Sequence, residues 1–460
     1  MDRSQTIDTH FTLKRAIAVA LENSPTLQDA RLSLEIAHGQ VREAWSSVLP
    51  RLSTNASYSR SIIKQSFFFG DTLIQIGADN VWVAGITFSQ PVFDAAAFIG
   101  VGASGRVRQL QSEAVRGTIQ QVVTRVRQAY LDALLSAEQI RLTEQSLERV
   151  RQSLDEARSL HKAGMVSDYD VLRLDVQLSN LEAERHRAWV GEAAAGRNLL
   201  LELGLSPELE ITLEGRLNEL NLEEHTRNSS GNQILLQYVG FGDGSGLPFH
   251  EAYGLALEGR SDLRQLAITT SLEEAQLAAQ RAEYFPTLSI FYNYNLTAQE
   301  NGSLDFFGEN ANQRSRFAVT GINMQLPLFL GFARRARMQQ RRAAVRQSEL
   351  RRWRGEQRTD SQLRNLLASL EDSQYRAESL VRALDQARRG FEIATALYRT
   401  GVGSQLQITD AELALRQSEF NYARTVYDYL TLRTQLDAAM GTVLVSLAEL
   451  DAGNHLDDRH

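Results

Sequence analysis

Residues 397–404 read Leu397-Tyr398-Arg399-Thr400-Gly401-Val402-Gly403-Ser404, a stretch in which one helix can end on glycine and the next can begin on serine. The same arrangement occurs 237 residues earlier, as Leu160-His161-Lys162-Ala163-Gly164-Met165-Val166-Ser167. A glycine that ends a helix, followed closely by a capping serine, predicts a tight helical hairpin. The chain therefore contains two such hairpins, and they decide the fold.

The two hairpins belong to two copies of one unit. A shift of 236 residues aligns Leu49-Pro50-Arg51-Leu52 with Phe285-Pro286-Thr287-Leu288, and Pro91-Val92-Phe93 with Pro327-Leu328-Phe329. Farther along, the shift becomes 237 and aligns Leu203-Gly204 with Met440-Gly441. Because order and spacing both hold, the pattern indicates a tandem duplication. We expect a first repeat over 1–236, a second over 237–441 and a C-terminal tail over 442–460.

Long helices are predicted on both sides of each turn. No proline occurs within 92–206 or 328–460, and these spans are rich in residues that favour helices. Apolar residues recur there at steps of three and four, as in a coiled coil. We expect helical hairpins over about 95–203 and 332–440, the first helix being about 100 Å long at 1.5 Å per residue.

Four strands are predicted between the prolines. After Pro286 the even-numbered residues of 287–297 are apolar and the odd-numbered ones are polar, with Phe291 as the exception. A period of two also runs through the other predicted strands, and the four strands are expected at about 51–65, 80–92, 287–298 and 316–328. Shorter helices are expected over 11–48 and 248–284, and the polar segment 224–247 between the repeats is expected to be a loop.

The alternation has two explanations. A half-buried soluble sheet would produce it, and so would membrane strands of about ten residues. Aromatic clusters at 67–69 and 306–307, with Phe93 and Phe329 at strand ends, favour the membrane because such side chains suit its interfaces. Four strands cannot close a barrel, and open edges are not tolerated in lipid. We therefore expect three chains to share one barrel of twelve strands.

Composition excludes several classes of function. The chain has no cysteine, which excludes disulfides, Cys-ligated zinc, Fe–S clusters and a thiol nucleophile. A net charge of −7 gives nucleic-acid binding no general support. The eight histidines lack metal-ligand spacing, and no set of residues for acid–base or nucleophilic catalysis is visible. We expect no enzyme activity, no catalytic residues, no cofactor and no metal.

Two further features concern the membrane. No window of about 18 apolar residues predicts a transmembrane helix, and Met1-Asp2-Arg3-Ser4 lacks the features of a signal peptide. Because the strands imply export, we expect a signal peptide to have been removed. Ten arginines crowd residues 334–358, which indicates either a solvated helix face or contact with anionic headgroups at the periplasmic leaflet.

The chain contains a pair of strands followed by a long helical hairpin, and then a second copy of both. This order resembles the TolC-like family of outer-membrane efflux proteins. The resemblance covers about 11–441 and rests on the doubled order of the motifs, which are Leu49-Pro50-Arg51-Leu52, Gln90-Pro91-Val92-Phe93-Asp94, Leu326-Pro327-Leu328-Phe329 and the two glycine turns. It implies a mainly α fold with membrane β: a homotrimer whose twelve-stranded barrel lies in the outer membrane, above a helical barrel that crosses the periplasm. It also implies a periplasmic adaptor (membrane fusion) protein, an inner-membrane transporter and outer-membrane lipid as partners.

The resemblance further implies a gate at the hairpin tips. Tyr398, Asp410 and Asp170 match positions at which the family closes its duct. Gly403 stands where the family has an arginine and Gln407 where it has a second aspartate, so the closing network is thinner here or built differently. Asp170 and Asp410 have another explanation, as first-turn acids that the helix dipole favours. The residues expected to contact the adaptor are Gly164, Met165, Val166, Ser167, Gly401, Val402, Gly403 and Ser404.

The function implied is a passive outer-membrane exit duct of a tripartite efflux pump. An outer-membrane channel for type I protein secretion is an alternative of the same class, which the sequence does not separate from the first. A soluble coiled-coil scaffold is an alternative of another class, and it predicts extraction without detergent.

Overall fold

The computed structural model of the chain describes residues 9–217, 247–302 and 314–443. Three predictions fall at least partly outside these residues: the polar loop over 224–247, the aromatic cluster at 306–307 and the tail over 442–460.

Long helices dominate the described residues. The helices are α1 (Leu13–Asn23), α2 (Pro25–Ser46), α3 (Ala95–Lys162), α4 (Asp168–Leu203), α5 (Phe249–Gly259), α6 (Ser261–Ala282), α7 (Ala333–Arg399) and α8 (Gln405–Met440). The strands are β1 (His10–Phe11), β2 (Arg51–Arg60), β3 (Gln65–Phe69), β4 (Thr72–Ile76), β5 (Asn80–Phe93), β6 (Thr212–Leu213), β7 (Thr287–Glu300) and β8 (Arg314–Gln325). Within the described part of the chain, no helix combines the length and the apolar character needed to cross a membrane.

The duplication extends to the lengths of the elements. Helices α3 and α7 have 68 and 67 residues, α4 and α8 have 36 each, and α2 and α6 have 22 each. The predicted fold class, mainly helical with long strands in a tandem repeat, is confirmed.

One compact unit comprises Ser33–Ser112 and Leu266–Arg352 and contains a four-stranded antiparallel sheet in the order β2-β5-β7-β8. The register pairs even-numbered residues with even-numbered ones throughout the sheet, except at a shift near the end of β5, where Phe93 lies opposite Leu288. Ile86 lies opposite both Thr54 and Tyr294, and Ile290 lies opposite Ile322. The even-numbered, largely apolar residues therefore share one face of the sheet, and β2 and β8 form its two edges.

Two strands differ clearly from their predicted bounds, whereas β5 and β7 end one and two residues beyond theirs. The strand predicted over 51–65 ends at Arg60, because the Ser61 amide donates to the Asp79 carbonyl (2.8 Å) and the chain then enters a separate hairpin of β3 and β4. The strand predicted over 316–328 runs from Arg314 to Gln325. Proline has no N–H for a strand ladder, and Pro327 accordingly lies just beyond the strand.

The other compact unit comprises Met1–Leu32, Glu113–Gln265 and Trp353–His460. Its main apolar core is built from the apolar faces of α1, α3, α4, α5, α7 and α8, and among its fully buried members are Ile17, Leu131, Leu199 and Leu430. The Arg127 guanidinium is fully buried in this unit and pairs with Asp437 at 3.2 Å. Below this core, the tips of the two hairpins have a second apolar cluster of their own.

Candidate functional site

Both hairpin turns use glycine in the left-handed conformation. Gly164 has φ +74° and Gly401 has φ +76°. The Met165 amide then donates back to the Leu160 carbonyl at 2.9 Å, and the Val402 amide donates to the Leu397 carbonyl at 3.1 Å. These bonds satisfy carbonyls at the helix ends, as in a Schellman motif, so the tight turns predicted from the sequence are present at both tips.

Gly403 lies where backbone packs on backbone. Its amide donates to the Leu397 carbonyl at 2.9 Å. A Cβ at this position would lie 2.9 Å from the Tyr398 backbone nitrogen. The turn therefore leaves no room for a side chain, which gives a physical reason for glycine at this position.

Asp170 and Gln407 are equivalent capping residues. The Ser167 amide donates to Asp170 Oδ2 (3.2 Å), and the Asp170 amide donates to Ser167 Oγ (3.3 Å). The Ser404 amide donates to Gln407 Oε1 (3.0 Å), and the Gln407 amide donates to Ser404 Oγ (3.4 Å). Each pair is a capping box, which satisfies amides at the start of α4 or α8. The first-turn explanation of Asp170 therefore holds in the structure.

Tyr398 lies inside the tip cluster. Its side chain is buried among residues such as Leu154 on α3 and Ile408 on α8. Burial raises the pKa of Tyr398, and the nearby carboxylates of Asp170 and Glu156 raise it further. Within the described residues its hydroxyl has no hydrogen-bond partner. The structure thus brings two of the predicted gate residues, Tyr398 and Asp170, close enough to interact electrostatically.

Asp410 differs from the other gate candidates. It is the sixth residue of α8, its side chain is exposed, and the first turn of α8 contains no acidic residue. The alternative explanation of Asp410 as a first-turn acid is therefore wrong. Its carboxylate makes no hydrogen bond or ion pair within the described part of the chain.

A buried carboxylate that sequence reasoning missed joins the two hairpins. Glu412 on α8 is 2% exposed. It accepts hydrogen bonds from the Ser146 hydroxyl and from Arg149 Nη2 (3.4 Å) on α3, and from Gln177 Nε2 (3.4 Å) on α4. Arg149 also binds Glu419, at 3.1 Å. We call Ser146, Arg149, Gln177, Glu412 and Glu419 the Glu412 cluster.

A signal for this cluster was present in the sequence. Glu412 stands between Ile408 and Leu415 in the apolar stripe of α8, at helical spacing. An acid at such a position needs partners, because a buried charge is costly when it is unpaired.

Ion pairs on the surface also connect one hairpin to the other. Arg399 at the end of α7 pairs with Glu156 on α3 at 2.7 Å, and Arg416 on α8 pairs with Glu184 on α4 at 2.5 Å. Because these pairs are partly exposed, each contributes little stability, about 0–1 kcal/mol. The Glu412 cluster and the tip apolar residues are therefore the stronger connections.

The tip turns also present apolar side chains to solvent. Met165 is 61% exposed and Val402 is 79% exposed, whereas Val166 packs partly against the tip cluster. Among the residues that the structure describes, no group of three or more His, Asp or Glu side chains could hold a metal ion.

A model of the family described as outer membrane efflux protein matches residues 16–189 and 252–442. The alkaline protease secretion protein AprF of Pseudomonas aeruginosa is 25% identical over 438 residues, which cover 95% of this chain and 85% of AprF. The outer membrane protein TolC of Vibrio cholerae is 23% identical over 440 residues, which cover 92% of this chain and 89% of TolC.

Two solved structures share the fold. CusC superposes with a TM-score of 0.75 at 20% identity, covering 94% of this chain and 92% of CusC. The outer membrane protein VceC of Vibrio cholerae superposes with a TM-score of 0.74 at 18% identity, covering 93% of this chain and 96% of VceC.

Proposed function

This chain belongs to the outer membrane efflux protein family, and we propose that three copies form one passive exit duct for a tripartite efflux pump. The chain is an outer-membrane channel protein, and membership of this family excludes the soluble coiled-coil scaffold. In the proposed assembly an inner-membrane transporter and a periplasmic adaptor protein deliver substrates to the duct. The duct then carries them through the periplasm and the outer membrane.

The observation that carries this proposal is the sheet with two open edges. Strands β2 and β8 lie at the edges of the β2-β5-β7-β8 order. Unpaired backbone groups are not tolerated in the hydrocarbon core. The edge strands of one copy must therefore form hydrogen bonds with the edge strands of other copies. The even-numbered face, which includes Ile290 and Ile322 at 40% and 73% exposure, supports contact with outer-membrane lipid.

The hairpin tips are the proposed site of docking and closure. Gly164–Ser167 and Gly401–Ser404 form the adaptor-contacting turns, because Met165 and Val402 present exposed apolar side chains there. Tyr398 stabilises the closed tip from within, and Asp170 and Gln407 stabilise it at the starts of α4 and α8. Asp410, exposed and unpaired in one copy, forms the ring of carboxylates around the constriction, and such a ring favours cations.

Type I protein secretion is the second candidate function. It is supported by relatives whose names state protease secretion, AprF above all, since AprF matches 95% of this chain. The cargo would then be an unfolded polypeptide. The proposed trimer and the proposed role of the hairpin tips are the same for both candidate functions.

Purification and gene deletion test the proposal. The protein should be found in the outer-membrane fraction, require detergent and have the mass of three chains. If the protein is an efflux duct, deletion of its gene should increase the drug susceptibility of the cells. If it is a secretion duct, deletion should abolish the secretion of an extracellular protein. A monodisperse folded monomer in detergent would refute the trimeric duct.

A further inference from the structure

Nearly all charged residues of the four-stranded sheet lie at one of its ends. The charged residues of β2, β5, β7 and β8 are Arg51, Arg60, Glu300, Arg314 and Arg316. Arg51 begins β2, which follows α2, whereas the other four lie at the strand ends that are not joined to the helices. All four have even numbers and therefore lie on the face proposed to contact lipid. Because the helices of the proposed duct cross the periplasm, this end of the sheet faces the outside of the cell.

One row of residues across this end has the composition of a membrane boundary. Tyr58 lies opposite Trp82, Trp82 lies opposite Ala298, and Ala298 lies opposite Arg314. The rings of Tyr58 and Trp82 are 5.2 Å apart, and the Tyr58 hydroxyl donates to Asn80 Oδ1 at 2.8 Å. Trp and Tyr side chains are enriched where a bilayer meets water. The row therefore marks the level of the headgroups in the outer leaflet.

The length of β8 agrees with this boundary. Beyond Arg316 no charged residue occurs on the strand, which ends at Gln325. The backbone between these two residues spans about 30 Å at about 3.3 Å per residue, which is about 23 Å of membrane height at a strand tilt of about 40°. The apolar band of outer-membrane barrels is about 25 Å tall. Arg316 therefore lies at the outer boundary of this band.

Arg60 and Arg316 are exposed and available to a ligand. Arg316 makes no hydrogen bond or ion pair within the described residues. Arg60, which follows Tyr58 on the same face of β2, interacts electrostatically with Asp79. That carboxylate is already paired with Lys64 at 3.0 Å.

Glu300 is the one acidic residue on the four strands of this sheet as the structure describes them. It is half-buried at the end of the central strand β7. Since Ala298 lies opposite Arg314, Glu300 is the diagonal neighbour of Arg314 across the two strands. Glu300 therefore offsets the charge of Arg314, and the face keeps a net positive charge from Arg60 and Arg316.

The two arginines lie on opposite edges of one copy, Arg60 on β2 and Arg316 on β8. When three copies close a ring by head-to-tail contacts, β2 of each copy adjoins β8 of the next. Each seam between copies therefore has an Arg60 and an Arg316 at the outer end of two adjacent strands, on the lipid face. Guanidinium groups suit phosphate because they can donate two parallel hydrogen bonds to its oxygens.

We propose that Arg60 of one copy and Arg316 of the next bind the phosphate groups of a glycolipid in the outer leaflet. Leu52 on β2 and Ile322 on β8 are 74% and 73% exposed on the same face, and they supply apolar surface for the acyl chains. This inference rests on the proposed trimeric duct and names a lipid ligand for each of its seams.

Native mass spectrometry of the detergent-solubilised trimer tests the site, with purified diphosphoryl lipid A as the probe. We expect up to three bound lipids per trimer, one at each seam, and weaker binding of monophosphoryl lipid A. Arg60→Gln/Arg316→Gln should bind the diphosphoryl form about 30-fold more weakly, because each arginine at an anionic surface contributes about a factor of five. Arg60→Lys/Arg316→Lys should retain most of the affinity, since lysine also binds phosphate.

The matched control is Arg51→Gln/Arg389→Gln, which removes the same number of positive charges. Arg51 lies on the other face at the other end of β2, and Arg389 is exposed on the part of α7 that belongs to the other compact unit. This variant should bind lipid A as the wild type does. Equal losses of affinity in the two glutamine variants would overturn the site.

The comparison of the two lipid A forms uses the wild-type protein, so it does not depend on the assembly of any variant. Equal affinities for the two forms, or for lipid A and a zwitterionic phosphatidylcholine, would overturn phosphate recognition. Inorganic phosphate that displaces lipid A at equal concentration would identify an anion site and overturn the lipid ligand. All of these results leave the trimeric duct intact, whereas a wild-type monomer in detergent overturns the proposed function itself.

Discussion

Replacing Glu412 by alanine should loosen the connection between the two hairpins. The carboxylate is 2% exposed and accepts from Ser146, Arg149 and Gln177. Its removal leaves Ser146 and Gln177 without their acceptor and leaves Arg149 with Glu419 alone. Breaking a buried ion pair by removing one partner costs about 3–5 kcal/mol. Glu412→Gln should cost less, because the amide oxygen can still accept hydrogen bonds.

Asp175→Ala provides the matched control. Asp175 on α4 pairs with Arg158 on α3 at 3.3 Å, but the two side chains are 54% and 52% exposed. An exposed pair of this kind contributes about 0–1 kcal/mol. The two variants therefore remove the same chemical group from the same bundle and differ in burial.

Amide hydrogen exchange of the detergent-solubilised assembly measures the difference. Local opening of the helices around Glu412 is governed by their local stability, and a loss of about 3 kcal/mol corresponds to exchange more than about 100-fold faster. We expect this acceleration in peptides from 146–157 and 405–419 for Glu412→Ala, and a change below about tenfold for Asp175→Ala. Unchanged protection in Glu412→Ala, or equal acceleration in both variants, would refute the reasoning from burial.

The remaining predictions concern pH, the turn, the gate and the sheet. Burial and a hydrogen bond to the Asp132 carboxylate raise the pKa of Tyr427 to about 12. The stability that the neutral phenol contributes is therefore complete below pH ~10 and is lost as the pH rises towards ~12. The thermal unfolding temperature should fall less over this pH range in Tyr427→Phe than in the wild type. Gly403→Ala should force the second turn open, since its Cβ would lie 2.9 Å from a backbone nitrogen, and limited proteolysis should then cut the tip faster. Asp410→Ala should decrease cation preference in single-channel reversal potentials, and an unchanged selectivity would remove Asp410 from the gate. Ile290→Arg should cost about 2–4 kcal/mol if the residue faces lipid near the midplane and should decrease assembly in vesicles, whereas Asn293→Arg on the opposite face should be tolerated.

Much of this structure was readable from the sequence because the features concerned are local. The turns at Gly164 and Gly401 depend on the left-handed conformation that glycine adopts without steric cost, and this needs no distant partner. The period of two in 287–297 assigned one face of β7, and the doubled order of motifs predicted the duplication. The capping box of Ser404 and Gln407 is equally local, and its Ser-x-x-Gln spacing could have been recognised.

Other features were decided by tertiary structure alone. The sequence places Glu412 in the stripe of α8, but only the packing of α8 against α3 and α4 supplies the donors that keep its charge buried. Asp410 and Asp170 carry the same side chain near the start of equivalent helices, yet one is exposed and the other caps α4, because they stand at different distances from the capping serine. Local periodicity fixes which residues share a helix face. The partner of each face depends on contacts between distant parts of the chain, and these exist only when the helices have packed together.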